Sequence, residues 1–103
     1  MQTTYTKDTL KADLLCKLER ADQELQMGLE WDDNGLINAA LEDYREVLSD
    51  IRQNESIQFE GKEKMLRKAE KDLKALSKKL DTRKSAGKLR DFHEQVLGIV
   101  DQW

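Results

Sequence analysis

Two apolar stripes at helical spacing lie between Ala21 and Ile51, one on each side of the polar cluster Asp32–Gly35. Their members are Ala21, Leu25, Gly28 and Leu29, then Leu36, Ile37, Ala40, Leu41, Tyr44, Val47, Leu48 and Ile51. Spacings of three and four residues place such side chains on one side of an α-helix. Asn34–Gly35 offers a left-handed residue at which one helix ends and the next begins. The segment therefore predicts an antiparallel helical hairpin, which constrains the whole fold.

The amino-acid composition favours helices over strands. The chain contains no proline, 38% of its residues are charged and only 6% are aromatic. Proline interrupts helices most strongly, whereas aromatic and β-branched residues are enriched in sheets. At 103 residues the chain has the size of one domain with one hydrophobic core. The sequence predicts an all-α fold in a single domain covering residues 1–103.

The apolar periodicity divides the chain into four amphipathic helices. They are expected at about residues 6–32, 36–52, 62–80 and 88–102. Residues 81–87 are expected to form a polar loop. Ile57 and Phe59, in the irregular segment 53–61, are expected to fold back over the end of the bundle. Because short connections make consecutive helices antiparallel, the predicted architecture is an antiparallel three- to four-helix bundle.

The residue patterns do not predict an enzyme, a cofactor or a metal site. His93 is the only histidine and has no metal-ligand partner one helical turn away. The acidic pairs Asp32–Asp33 and Glu42–Asp43 are adjacent in sequence, so they point to different faces and make poor acid–base couples. The single cysteine, Cys16, lies among leucines and is expected to be a small buried side chain. Without an export signal or a membrane span in the sequence, we expect a cytoplasmic location.

Small and apolar residues follow one another in a distinctive order from helix 1 to helix 3. In the first two helices they are Ala21, Leu25, Gly28, Leu36 or Ile37, Ala40, Leu41 and Tyr44, with Asp32 before the turn. Helix 3 has an apolar pair followed by basic residues, Ala-Glu and further leucines, at Met65–Lys71, Leu73 and Leu76. This order resembles the MIT (microtubule-interacting and trafficking) domain, a small three-helix bundle, over about residues 14–80. The sequence departs from the family in having Gly28 where alanine is usual, a short connection between helices 2 and 3, and a fourth helix.

The resemblance implies a non-enzymatic protein-interaction module that binds an amphipathic helix of a partner protein in a groove between helices. The matching positions on helix 3 are Leu66, Arg67 or Lys68, Glu70, Lys71 and Leu73. The facing wall on helix 2 is formed by Val47 and Ile51. The alternative is that these residues pack against helix 4, which brings an apolar stripe of its own.

Charge is distributed unevenly along the chain. Residues 1–60 contain 14 acidic and 6 basic side chains, whereas residues 61–103 contain 12 basic and 7 acidic ones. A solvated, salt-bridged face of helix 3 would explain much of the basic excess. The alternative function is a small regulator or inhibitor, of the kind found in phages and mobile elements, that acts on a nucleic acid or a nucleic-acid enzyme through this basic half. Self-association through an exchanged helix is a third hypothesis.

Overall fold

A computed structural model describes residues 7–78 and 82–102, and this part of the chain forms helices and turns without a strand. The four helices are α1 (Lys7–Glu30), α2 (Asn34–Gln53), α3 (Lys62–Lys78) and α4 (Thr82–Asp101). Each helix packs against the next along the chain, and α4 also packs against α1, so the helices close into one four-helix bundle. The all-α prediction is confirmed.

One continuous core runs along the axis of the bundle. All four helices contribute to it, because each carries apolar residues three or four positions apart on one side. The core side chains are Leu14, Leu18, Ala21, Leu25, Ile37, Ala40, Leu41, Tyr44, Val47, Leu48, Ile51, Ile57, Leu66, Ala69, Leu73, Leu89, Phe92, Val96, Ile99 and Val100. Full burial of a large apolar side chain stabilises the fold by roughly 1.5–3 kcal/mol, so this core is the main source of stability.

Two consecutive aspartates form the turn between α1 and α2. Asp32 has a φ of 54°, and the N–H of Asp33 donates to the carbonyl of Gly28 at 2.8 Å, as in a Schellman ending. The Asp33 carboxylate caps α2 by accepting from two N–H groups of its first turn, at 2.9 and 3.3 Å. Asn34 and Gly35 therefore belong to α2, and the expectation that they supply the left-handed residue was wrong. Asp32 takes that role because a short polar side chain tolerates this conformation.

The connection between α2 and α3 folds back onto the end of the bundle, as the sequence predicts. Ile57 is 2% exposed, and Phe59 packs against the core. The Lys62 ammonium donates to the carbonyl oxygens of Asn54 and Ile57, which satisfies two backbone acceptors of the connection. Gly61, with a φ of 79°, then turns the chain into α3.

Two other expectations were wrong. First, α4 begins at Thr82, so residues 82–87 are helical and do not form the expected loop. The segment contains no proline, and its single glycine costs a helix only about 1 kcal/mol. Second, Cys16 is exposed, because the buried face of α1 passes through Leu14 and Leu18 and position 16 lies on the other side. Residue 6 and residues 79–81 of the predicted elements lie outside the described residues.

Candidate functional site

Most side chains expected to form a partner-binding wall between α2 and α3 lie inside the core. Val47 and Leu66 are fully buried, and Ile51 and Leu73 are 1% and 4% exposed. They belong to one core with α4 side chains such as Phe92, because α4 completes the bundle beside α3. The expected groove is therefore closed in this structure. The structure matches the alternative, in which these residues pack in a bundle that includes the fourth helix.

The seam between α2 and α3 is also closed at the surface. Arg52 of α2 donates to Glu70 at 2.6 Å and to Glu63 at 2.9 Å, both on α3. Glu63 accepts from Arg67 as well, at 3.0 Å, and its hydrogen bonds to Arg52 and Arg67 hold the pKa of its carboxyl below the usual value. Arg67 and Glu70, expected to contact a partner, thus take part in a network that joins two helices. Lys71 is exposed and lies outside that network.

Ion pairs also join α1 to α2. Arg20 donates to the buried Asp43 carboxylate at 2.7 and 3.2 Å, and Lys17 bonds to Asp50 at 2.7 Å. Glu24 lies beside Asp43, and its burial, together with a hydrogen bond to that carboxylate, raises the pKa of Glu24 to about 7. Glu24 therefore keeps its proton to a higher pH than an ordinary glutamate does. The sequence did not indicate this pairing, because the two residues lie on different helices.

His93 pairs with Tyr44 across α2 and α4. The Tyr44 hydroxyl lies 2.7 Å from His93 Nδ1, and the ring of Tyr44 meets Phe92 edge to face with centroids 5.3 Å apart. Burial raises the pKa of the Tyr44 phenol, so the hydroxyl stays protonated. Within residues 7–78 and 82–102, no group of three or more His, Cys, Asp or Glu side chains is placed to hold a metal ion. The histidine has a structural hydrogen-bond partner.

An open groove lies on the surface between α3 and α4, and we call it the α3–α4 groove. It consists of two adjoining pockets of about 300 and 270 Å³ that share Gln95. Its α3 wall contains Met65, Lys68, Asp72, Ala75 and Leu76, and its α4 wall contains Lys88, Asp91, Phe92, Glu94, Gln95, Gly98, Ile99 and Gln102. The binding surface predicted from the sequence lies between α2 and α3, the neighbouring pair of helices.

The α3–α4 groove has an apolar floor and small residues on its walls. The floor is formed by the buried side chains of Phe92 and Ile99 and the partly buried side chains of Met65 and Leu76. Ala75 and Gly98 are exposed, and small side chains at such positions let another helix approach closely. The α3 wall extends over about 16 Å, or three helical turns. In the described part of the chain no ion pair joins α3 to α4 across this groove. Lys68, on the α3 wall, pairs with Asp72 of the same helix.

The comparisons with known proteins are consistent with one another. No family model, no curated protein and no solved structure matches this chain. None of the described helices is long and apolar enough to cross a membrane. Function therefore has to be inferred from the surfaces that the bundle presents.

Proposed function

We propose that this protein is a non-enzymatic binding module that holds an amphipathic helix of a partner protein in the α3–α4 groove. One observation carries the proposal: an apolar floor stays open between α3 and α4, while ion pairs join α1 to α2 and α2 to α3. Amphipathic helices bind such grooves through apolar anchors spaced one turn apart. A groove three turns long fits three or four anchors.

The proposal shifts the binding surface away from the position that the MIT resemblance implies. On that resemblance, the wall would lie between α2 and α3, where the side chains are buried. Here the fourth helix packs beside α3 and creates a new groove with it. The order of small residues in the first hairpin supports a helix-binding bundle, and kinship with MIT domains is part of this proposal. So is a cytoplasmic location, which fits a chain that has one cysteine and therefore no intramolecular disulfide.

Charges beside the α3–α4 groove indicate which helix would bind. The α3 wall carries Lys68 and Asp72, which pair with each other. The α4 wall carries Lys88, Asp91 and Glu94 and therefore has a net negative charge. A partner helix that carries basic residues along the flank facing α4 would meet opposite charge there. Such rim charges steer encounter and fix register more than they add affinity. The preferred partner is therefore an amphipathic helix with one basic flank.

The experiment is a titration of the isotope-labelled protein with a synthetic peptide, followed by NMR. The peptide is a leucine-striped helix of about 15 residues with one lysine flank. We expect the backbone signals of Ala75 and Gly98 to shift and to saturate below about 1 mM peptide. A peptide with glutamates in place of these lysines should bind more weakly, because like charges then face each other along the α4 wall.

Two glycines of α4 provide a matched pair of variants. A Cβ added at Gly98 or at Gly87 would meet no atom within 4 Å, so the bundle tolerates a side chain at either position. Gly98→Leu fills the groove and should abolish peptide binding. Gly87→Leu introduces the same side chain on the same helix outside the groove, and should leave binding unchanged. Equal binding by both variants, or no shift at millimolar peptide, would refute the proposal.

A further inference from the structure

Five basic side chains of α3 form a single stripe, which we call the α3 basic stripe. Its members are Lys64, Arg67, Lys71, Lys74 and Lys78. Their spacing of three and four residues places them on one side of the helix, turned away from the buried side chains Leu66, Ala69 and Leu73. All five are exposed. The stripe extends over about 21 Å at 1.5 Å per residue.

The four lysines of the stripe are not neutralised by the acidic residues of their own helix. Arg67 bonds to Glu63 at 3.0 Å, whereas the described residues provide no ion-pair partner for the lysines. Glu70 points toward α2 and is held by Arg52, and Asp72 is held by Lys68 on the other edge of α3. The acidic side chains thus lie at both edges of α3 and leave the outward face positive.

The chemistry of this face favours a nucleic acid over a protein. The core of a protein interface is apolar or aromatic and is depleted in lysine. The α3 basic stripe contains neither an apolar nor an aromatic residue, but phosphate contacts require only cations. Single-stranded nucleic acids are held largely by stacking on aromatic rings, which are absent from this helix. A duplex is therefore the form that these side chains fit best.

We propose that the α3 basic stripe binds the phosphate backbone of a nucleic-acid duplex without reading its sequence. Base recognition requires side chains such as arginine, asparagine or glutamine that make paired hydrogen bonds to base edges. The stripe has one such residue, Arg67, and its guanidinium is engaged by Glu63. The acidic helices α1 and α2 repel phosphate, so the duplex contacts the α3 side of the bundle. The stripe does not line the α3–α4 groove, and its function is separate from helix binding.

The test is the salt dependence of binding to a fluorescent duplex of about 20 base pairs, measured by anisotropy. If each of the four lysines contacts one phosphate, the slope of log K against log[salt] is about −3.6. Raising the salt from about 50 to about 200 mM should therefore weaken binding by about 150-fold. The triple variant Lys64→Gln/Lys71→Gln/Lys74→Gln should have a slope of about −0.9 and lose only about fourfold over the same range.

A second triple variant controls for net charge. Lys11→Gln/Arg45→Gln/Arg90→Gln removes three cations from the other helices and gives the same net charge. It should bind the duplex with the slope of the unaltered protein, and circular dichroism checks that both variants fold. Equal weakening by the two variants would overturn the proposal, because net charge alone would then explain binding. An absence of binding at low salt would also overturn the proposal. Equally strong binding to polyglutamate would overturn it too, because it would indicate an acidic protein partner.

Discussion

Gly28 gives the sharpest test of how α1 packs on α2. A Cβ added there would lie 2.7 Å from Ile37 Cγ1 and 3.1 Å from both the Asp33 carbonyl oxygen and the Ile37 nitrogen. Ile37 is fully buried. Its N–H donates to the Asp33 carbonyl oxygen at 3.3 Å, and this hydrogen bond belongs to the first turn of α2. None of the three atoms can move aside without shifting the start of α2. Only glycine fits at this position.

The size of the effect follows from two opposing terms. Overpacking a well-packed core costs about 1–3 kcal/mol, and the upper value applies here because two of the close atoms are backbone. Replacing a helical glycine with alanine stabilises the helix by about 1 kcal/mol. Gly28→Ala should therefore destabilise the fold by about 2 kcal/mol. Gly87→Ala on α4 is the control, since its Cβ meets no atom within 4 Å, and it should stabilise by about 1 kcal/mol.

Thermal and urea unfolding of the two variants measure the difference. A gap of about 3 kcal/mol corresponds to about 12–24 °C in Tm for a domain of this size. A Gly28→Ala variant as stable as Gly87→Ala would show that α1 and α2 are farther apart than the structure has them. Such a result would also favour the MIT-like packing, because alanine is usual at the corresponding position of that family.

Two further predictions concern single side chains. Glu24, with a folded pKa of about 7, keeps its proton where the unfolded chain has lost it, so the free energy of unfolding should fall as pH rises from about 4.5 to 7. Glu24→Gln should remove that slope and stabilise the protein by about 1–2 kcal/mol at pH 8, less than the full shift because the side chain is partly exposed. An unchanged pH profile in urea titrations would refute the raised pKa of Glu24. Ile57→Ala should cost about 2–4 kcal/mol in urea unfolding, because Ile57 is 2% exposed. A loss below about 0.5 kcal/mol would mean that the connection does not pack on the bundle.

Apolar periodicity predicted the number of helices and most of the core, but it did not predict the start of α4. The two stripes around the turn at residues 31–33 became the facing sides of α1 and α2, with Tyr44 and Ile51 fully or almost fully buried. Ile57 could be predicted to fold back because a lone isoleucine among polar neighbours would otherwise be exposed. These predictions hold because the spacing of apolar residues determines which side of a helix is buried, whatever that side packs against.

The candidate groove could not be located by the same reasoning. An apolar stripe shows that a helix has a buried side, but its rotation against two neighbours decides which seam closes and which stays open. Ion pairs such as Arg52–Glu70 join residues far apart in sequence and depend on that rotation. One signal was available, because Ala75 and Gly98 are small residues outside the core, where a solvated helix usually carries larger polar side chains. Exposed small residues on adjacent helices indicate a place where another helix can lie.

The separation of acidic and basic residues between the two halves of the chain has a practical consequence. Residues 1–60 contribute eight more acidic than basic side chains, and residues 61–103 contribute five more basic than acidic ones. The folded bundle keeps part of this separation although its net charge is only −3, because α2 carries four acidic and two basic side chains and α3 carries seven basic and three acidic ones. During purification above its isoelectric point, near 5.2, the protein should adsorb to a cation-exchange resin through one side and to an anion exchanger through the other. Its chromatographic retention reports the arrangement of charge in three dimensions, which no sum over the sequence provides.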